Sequence, residues 1–256
     1  EQAGLINHMH PKIDSLQLGN DSVIALTASI SFDVAIWQSL TALICGGCTQ
    51  VYKEETVLNP LQLIRNLNRD RVDVLQVVPS YLAEVLSMLE SDEELPQQIQ
   101  LSCLVSAGEI LKKSLVERWF ALFPDIPVLN AYGPTEASDI ITHYKMDSVP
   151  DTNGISIGRP LPNIRVYVLD EYDRICPLGV QGEICVAGLC VSRGYINQAE
   201  LNAKVFATDP YQKRKKVRLY RTGDLGRYLS DGNIELSGRK DHQLKIRGYR
   251  IELGEI

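Results

Sequence analysis

The apolar stretch VDVLQVVP, residues 72–79, constrains the fold of this chain more than any other segment. It is short, rich in β-branched residues and almost continuously apolar. It lacks the strict alternation of apolar and polar residues that is typical of a strand with one solvent-exposed face. Strands that are buried on both faces belong to parallel sheets that helices cover from both sides. The stretch therefore predicts an α/β fold around a buried parallel sheet.

The segments on either side of this stretch alternate between helix and strand patterns. In chain order they are a helix at 33–44, a strand at 49–53, a helix at 59–70, the strand at 72–79, a helix at 80–90, a strand at 101–109, a helix at 111–124 and a strand at 127–133. Asn59 and Pro60 supply a capping side chain and a first-turn proline to the second helix. This alternation predicts a parallel sheet flanked by helices.

The predicted secondary structure changes after about residue 150. From there the chain is rich in strands and in glycine- and aspartate-based turns, such as the hairpin turn SDGN at 230–233. We therefore divide the chain into an α/β part at 1–150, a β-rich part at 151–240 and the start of a further subdomain at 241–256.

Charge and hydropathy exclude two classes of partner. The net charge of −6 argues against nucleic acid, because phosphate binding needs a basic face, and we interpret the basic cluster KRKKVR at 213–218 as a solvated loop. No apolar run reaches the roughly 18 residues of a membrane span, and no signal-peptide pattern opens the chain. The chain starts on EQAGL without an initiator methionine, as if it were cut from a longer protein.

Six cysteines include the pair in CGGC at 45–48, which is compatible with a redox or metal motif. However, no second cysteine pair lies at zinc spacing, and the histidines lie elsewhere in the sequence. We therefore interpret the cysteines as core or turn residues of a protein in the reducing cytoplasm.

Three loops follow predicted parallel strands, at 78–80, 106–109 and 130–136. Ligands of such sheets bind beyond the carboxyl ends of the strands, so these loops are expected to converge on one site. In the third loop, NAYGPTE, Thr135 can offer a hydroxyl to a phosphate, and Glu136 can offer a carboxylate to Mg²⁺. From the residues alone, Thr135 is equally compatible with a helix cap.

Two later segments carry charge at turns. Asp224 follows a glycine in YRTGDLGRY, where a carboxylate held by a tight turn can accept both hydroxyls of a ribose, although an aspartate in a β-turn is also common. The segment GRKDHQLKIRGYRIELGE at 238–255 is dense in Arg, Lys and Gly, and by itself it is compatible with a solvated hairpin.

Taken together, four longer motifs are specific. They are NAYGPTE (130–136), GEICVAGLCVSRGYIN (182–197), YRTGDLGRYLSDGNIE (220–235) and GRKDHQLKIRGYRIELGEI (238–256). Their order and spacing resemble those of the adenylate-forming superfamily, and the chain as a whole most resembles the adenylation domain of a nonribosomal peptide synthetase. The resemblance implies a truncated part of the large N-terminal subdomain of that fold.

The resemblance also implies the reaction. An amino acid and ATP, with Mg²⁺, would give an aminoacyl-adenylate, and the aminoacyl group would pass to the phosphopantetheine thiol of a carrier domain beside a condensation domain. Thr135 would contact the α-phosphate, Glu136 would ligate Mg²⁺ and Asp224 would hold the ribose. The lid of the family would pivot near Asp241. Tyr132 would lie against the adenine, and Arg239 would lie beside the ribose. The adenine pocket would be lined by Asn130 and by the backbone of Gly108, Glu109 and Ile110.

The stretch SFDVAIWQ at 31–38 matches the family segment whose aspartate pairs with the substrate α-ammonium, which assigns that role to Asp33. Without the resemblance, a solvent-facing helix cap would explain Asp33 equally well. The other pocket positions would be Val34, Trp37, Gln76, Val105, Ala107, Ala131, Asp139 and Ile140. Gln76 and Asp139 would suit a polar or basic side chain, but an apolar substrate with Asp139 turned to solvent is equally compatible.

The chain departs from the family pattern in three places. The glycine-rich phosphate loop before residue 1 and the lid with its catalytic lysine after residue 256 are missing, and Leu189-Cys190 replaces a residue-plus-glycine pair. We therefore expect the 256 residues alone not to adenylate a substrate. An acyl- or aryl-CoA ligase of the same superfamily and a non-catalytic truncated domain remain the alternatives.

Overall fold

A computed structural model describes residues 1–91, 99–212 and 216–241, together with the backbone of two short strands beyond residue 241. Within the motif at 238–256, residues 242, 243, 247, 248 and 252–256 lie outside the described residues, as does the first half of the basic cluster at 213–218. The helices are α1 Gln2–Leu16, α2 Val34–Ile44, α3 Glu54–Val57, α4 Pro60–Arg69, α5 Pro79–Leu89, α6 Lys113–Leu122 and α7 Ala199–Val205.

The first half of the chain builds a seven-stranded sheet in the order β2-β1-β3-β4-β5-β6-β7. Its strands are β1 Val23–Leu26, β2 Cys48–Val51, β3 Val74–Val77, β4 Cys103–Ser106, β5 Val128–Tyr132, β6 Thr142–Met146 and β7 Arg159–Pro160. Strands β1 to β5 pair in parallel, which confirms the predicted helix-flanked parallel sheet, whereas β6 and β7 pair antiparallel. The sheet thus continues past the division that the sequence suggested at residue 150.

The central strands supply the core on both faces of this sheet. Val74 and Val105 lie in a cluster with Trp37, while Leu75 and Leu104, one residue away in each strand, lie in the cluster on the opposite face. Successive side chains of a strand point to opposite faces, so an apolar run with no polar face fills both layers at once. The burial of β3 confirms the interpretation of residues 72–79.

Helix α1, which was not predicted from the sequence, packs against the loop that follows β5. Residues at spacing four share one face of a helix, and Gly4, His8, Lys12 and Leu16 are all buried in α1. A side chain at Gly4 would place its Cβ 2.5 Å from the Ser138 hydroxyl, so this glycine lets α1 lie directly against the loop after β5.

The second half builds a five-stranded antiparallel sheet in which β10, β11, β9 and β8 are neighbours and β12 pairs with β11. The strands are β8 Ile164–Leu169, β9 Gly182–Gly188, β10 Phe206–Thr208, β11 Arg218–Tyr228 and β12 Ile234–Arg239. The strands β13 Leu244–Ile246 and β14 Tyr249–Ile251 follow and pair antiparallel with each other. The predicted turn at 230–233 joins β11 to β12. Ile234 bonds to the backbone of Ile157 and Gly158, which ties the two sheets together.

The CGGC segment is the turn between α2 and β2. Cys45 ends the helix, Cys48 begins the strand, and both thiols are free. A Cβ at Gly47 would lie 2.5 Å from the Ser22 carbonyl oxygen, so the chain requires glycine there. Within the described residues, no helix is long and apolar enough to cross a membrane.

Candidate functional site

A cavity with a volume of about 510 Å³ opens beyond the carboxyl ends of β3, β4 and β5. Val78, Gly108 and Thr135, one from each of the three strand-end loops, line it, and Asp224 and Arg239 line it from the second sheet. These lining residues confirm the prediction that the three loops converge on one site. The loops meet because the carboxyl ends of parallel strands lie at the same edge of the sheet.

The Gly133-Pro134 turn shapes the floor of this cavity. A Cβ at Gly133 would lie 1.9 Å from the carbonyl oxygen of Asp139, so only glycine allows the chain to fold back this closely. Thr135 then begins a single 3₁₀ turn, whose capping position is Pro134. Thr135 lines the cavity as predicted and does not occupy the helix-cap position that was its alternative.

Glu136 lies one residue from this wall but is not among the residues that line the cavity. Its side chain is buried, and one of its carboxylate oxygens accepts a hydrogen bond from the Tyr195 hydroxyl. That hydroxyl lies 3.5 Å from the hydroxyl of Tyr220, which does line the cavity. Neither tyrosine was predicted as a site residue, although Tyr195 stands in the motif at 182–197 and Tyr220 in the motif at 220–235.

Asp224 is fixed by two partners. The Tyr132 hydroxyl donates to Asp224 Oδ2 at 2.6 Å, and Arg239 Nη1 donates to Oδ1 at 2.6 Å. Gly223 makes room for the arginine, since a Cβ there would lie 2.9 Å from Arg239 Nη2. Burial, and then the nearby Asp224 carboxylate, raise the pKa of Tyr132, so this tyrosine stays a proton donor.

Tyr132, which was predicted to lie against the adenine, instead reaches Asp224 from the core and is not itself a lining residue. Asp241, the predicted pivot, is exposed and receives two hydrogen bonds from Arg239, each of 2.7 Å. Arg239 therefore bridges the cavity wall and the pivot position.

The predicted adenine contacts divide into two groups. Gly108 lines the cavity with a positive φ of 89°. Glu109 accepts two hydrogen bonds of 2.9 Å from the Ser80 amide and hydroxyl at the start of α5, and Ile110 is exposed. Asn130 does not line the cavity, because its amide is buried and donates to the Ser156 carbonyl at 2.7 Å.

Asp33 stands at the N-terminus of α2 and lines the cavity. One carboxylate oxygen, Oδ1, accepts a 2.9 Å hydrogen bond from the Val34 amide. The helix-cap interpretation and the cavity position are therefore both satisfied by the same side chain, which is only partly exposed.

The other predicted pocket residues also divide by position. Val34, Gln76, Ala107, Asp139 and Ile140 line the cavity. Trp37, Val105 and Ala131 do not, because they belong to the core cluster beneath it. Of the two alternatives for Asp139, the one in which its side chain turns to solvent is not observed, since its carboxylate contacts a buried cation.

That cation is Lys12 of α1, which has no exposed surface. Its ammonium lies 3.3 Å from Asp139 Oδ2 and 3.9 Å from the centre of the Trp37 ring. His8 Nε2 lies 3.2 Å from the same Asp139 oxygen. The spacing of His8 and Lys12 on one helix face was the sequence signal that could have revealed this cluster.

Burial sets the protonation tendencies of this cluster. It lowers the pKa of Lys12, an effect that Asp139 opposes, and it raises the pKa of Asp139, an effect that Lys12 opposes. Burial, and then the charge of Lys12, hold the pKa of His8 well below its usual range, so that His8 is neutral in the folded protein.

Comparison with known protein families identifies the family to which this fold belongs. Residues 2–196 match the model of the family described as AMP-binding enzyme. The chain belongs to this family. Among curated members, it is 35% identical over its whole length to malpinin synthetase of Mortierella alpina and 33% identical over its whole length to tyrocidine synthase 1 of Brevibacillus parabrevis. It spans 3% and 22% of those two proteins.

Solved structures of AMP-binding enzymes support the same assignment. An artificially fused adenylation-PCP di-domain from Klebsiella oxytoca matches 99% of the chain at 27% identity with a TM-score of 0.83, and the match covers 46% of that structure. A four-domain nonribosomal peptide synthetase bound to AMP and glycine matches 98% of the chain at 33% identity with a TM-score of 0.82, over 18% of its own length. The predicted resemblance to adenylation domains of nonribosomal peptide synthetases is confirmed.

Proposed function

We propose that this chain provides the amino-acid and nucleotide site of an adenylation domain that activates an amino acid with ATP. The substrate carboxylate attacks the α-phosphorus, the bond to pyrophosphate breaks, and an aminoacyl-adenylate forms. One observation carries the proposal: a single cavity holds the carboxylate of Asp33, the Thr135 turn and the Asp224–Arg239 pair.

The amino-acid end of the cavity is assigned to Asp33. A carboxylate at the edge of an apolar pocket is costly to desolvate unless a cation meets it, and an α-ammonium is such a cation. The N-cap bond to Val34 fixes the carboxylate before the substrate arrives, so little ordering entropy is lost on binding. An acid without an amine would leave this carboxylate uncompensated.

The nucleotide end is assigned to Asp224. A carboxylate has about four lone-pair sites, so Asp224 can accept ribose hydroxyls while Tyr132 and Arg239 each occupy one. In this proposal Tyr132 orients Asp224, and the backbone at Gly108–Ile110 lies beside the base. Asn130 pairs with Ser106, two residues before Gly108, and its side-chain amide donates to the Ser156 carbonyl.

The phosphates are assigned to the turn that begins at Thr135, whose hydroxyl can donate to an α-phosphate oxygen. Magnesium is usually held by one or two carboxylates together with substrate phosphates, rather than by a cage of protein ligands. Within the described residues no group of three acidic, His or Cys side chains could hold a metal, which fits an ion that the nucleotide brings. Glu136 is the carboxylate that would hold it, and the ion would offset phosphate charge.

We further propose that the activated aminoacyl group passes to the phosphopantetheine thiol of a carrier domain, with a condensation domain in the same assembly. Solved structures that are similar to this chain include adenylation domains linked to PCP domains, which supports a carrier domain as the partner. The step exchanges an acyl-phosphate bond for a thioester and releases AMP.

Amino-acid-dependent ATP–pyrophosphate exchange in the native full-length protein tests the proposal. We expect exchange with at least one amino acid, a loss of exchange in Asp224→Ala, and normal exchange in Asp231→Ala, which changes an exposed turn carboxylate outside the cavity. Exchange that depends on simple carboxylic acids and not on amino acids would instead identify an acyl- or aryl-CoA ligase. Absence of exchange with every acid would favour a non-catalytic domain.

A further inference from the structure

The cluster formed by Lys12, Asp139 and Asp33 places three charges at the amino-acid end of the cavity. Lys12 is paired with Asp139 at 3.3 Å, and the charge of Asp33 acts on both members of this pair. Asp33 and Asp139 line the cavity, whereas Lys12 lies behind them against Trp37. A buried ammonium that lost Asp139 would stand uncompensated, so the pair is mutually dependent.

The charges of this cluster sum to −1 when both carboxylates are ionised and Lys12 is protonated. Transfer of a proton from Lys12 to Asp139 leaves the sum unchanged, so the result does not depend on where that proton resides. The α-ammonium of a bound amino acid brings the sum to zero. A basic side chain would then leave an excess positive charge in a poorly solvated site, and an acidic one an excess negative charge, and both are costly.

A second observation concerns the hydrogen-bonding character of the same cavity. Gln76 lines it, and the Oε1 atom of Gln76 is buried without a hydrogen-bond partner among the described residues. A buried polar atom that stays unpaired is costly, so the site favours a ligand group that can pair with it. A hydroxyl or a carboxamide can donate as well as accept, and therefore pairs with the Gln76 amide in either of its two orientations.

We infer, on the basis of the proposed amino-acid activation, that Lys12 neutralises Asp139 and thereby sets the pocket for an amino acid whose side chain is uncharged and carries a hydroxyl or carboxamide. Lys12 is a positioning residue, because it acts on the substrate through Asp139. Asp139 follows Ser138, and both have positive φ values, of 75° and 61°. The Lys12 contact therefore also holds Asp139 in a backbone conformation that non-glycine residues rarely adopt.

The test uses pyrophosphate exchange in the native full-length protein with three groups of amino acids. The uncharged group contains serine, threonine, asparagine and glutamine; the basic group contains ornithine and lysine; the acidic group contains aspartate and glutamate. We expect the wild type to prefer the uncharged group. Lys12→Met exposes the charge of Asp139 and is expected to improve kcat/KM for the basic group about tenfold or more relative to the uncharged group.

Asp139→Asn is the reciprocal variant, because it leaves the Lys12 charge unpaired. It is expected to shift preference about tenfold or more towards the acidic group, and the double variant Lys12→Met/Asp139→Asn is expected to return to the uncharged group. Lys204→Met, which changes an exposed lysine of α7, serves as the matched control and is expected to behave as the wild type. Because the two single variants predict opposite shifts, failure of one to fold leaves the other decisive.

The outcomes separate the inference from the proposed function. A lack of amino-acid-dependent exchange in the wild type would overturn the proposed function, and the inference with it. Robust exchange that prefers a charged side chain, or preferences that neither Lys12→Met nor Asp139→Asn moves, would overturn the inference alone. Opposite shifts in the two variants would establish it.

Discussion

Replacing Asp33 by Asn separates the two roles that the structure gives this side chain. Asp33 caps α2 through Oδ1 and also lines the cavity, where we propose that it meets the substrate ammonium. Asn caps a helix about as well as Asp does, so Asp33→Asn removes the charge and retains the cap. Asp33→Ala removes both.

The expected magnitudes follow from these contacts. A hydrogen bond to a charged group contributes about 1.5–3 kcal/mol, so both variants should raise the KM for the amino acid roughly tenfold to 150-fold while the KM for ATP stays the same. Asp33→Ala should in addition lower the free energy of unfolding by about 1 kcal/mol through the lost cap, whereas Asp33→Asn should not.

Pyrophosphate exchange at saturating ATP measures the KM, and urea unfolding followed by circular dichroism measures the stability. Asp21→Asn, which changes an exposed aspartate before β1, is the control. An unchanged amino-acid KM in Asp33→Asn would refute the proposed ammonium contact. Equal destabilisation by Asn and Ala would refute the capping argument.

Three further predictions concern other parts of the site. Tyr132→Phe removes the donor to Asp224 and should raise the KM for ATP roughly tenfold without changing the amino-acid KM, as measured by exchange kinetics. Glu136→Gln should lower kcat about a hundredfold, with a smaller change in the KM for ATP. Tyr195→Phe, which removes the hydrogen bond to Glu136, should lower kcat much less. Similar losses of kcat in the two variants would argue against Glu136 as the magnesium ligand. Because the pKa of His8 is lowered in the folded protein, only the unfolded chain binds a proton at this histidine as the pH falls. The contribution of neutral His8 to the free energy of unfolding is therefore present above about pH 6.5 and is lost at lower pH. Between pH 7.5 and 6.0 that loss amounts to about 0.8 kcal/mol, and urea unfolding of His8→Gln should show a pH dependence that is weaker by this amount.

The sequence predicted those parts of the fold whose local pattern and tertiary environment agree. The run at 72–79 is apolar on both faces because Val74 and Leu75 pack into opposite layers, so its composition alone reveals its place in the sheet. Asn59 likewise caps α4 as expected, accepting from the Gln62 amide at 3.1 Å. In both places short-range and long-range forces favour the same structure.

Other features depend on contacts between distant residues, which a local pattern does not encode. Lys12 is a charged residue on a buried face, and only its pairing with Asp139, far along the chain, makes that position stable. Glu136 and Asn130 stand in the predicted motif, yet both side chains bond to partners outside the cavity, Tyr195 and Ser156. Motif membership therefore indicated which segments surround the cavity, while the directions of individual side chains required the three-dimensional structure.

We propose that the cavity recognises an amino acid by its ammonium group and that the amino-acid carboxylate is joined to AMP there. The most direct measurement compares adenylate formation by the native full-length protein from its best amino acid and from the α-deamino acid with the same side chain, each trapped with hydroxylamine and quantified by mass spectrometry. We expect product from the amino acid and a yield lower by about tenfold or more from the deamino acid, because only the amine compensates Asp33. Equal yields from the two acids would contradict it.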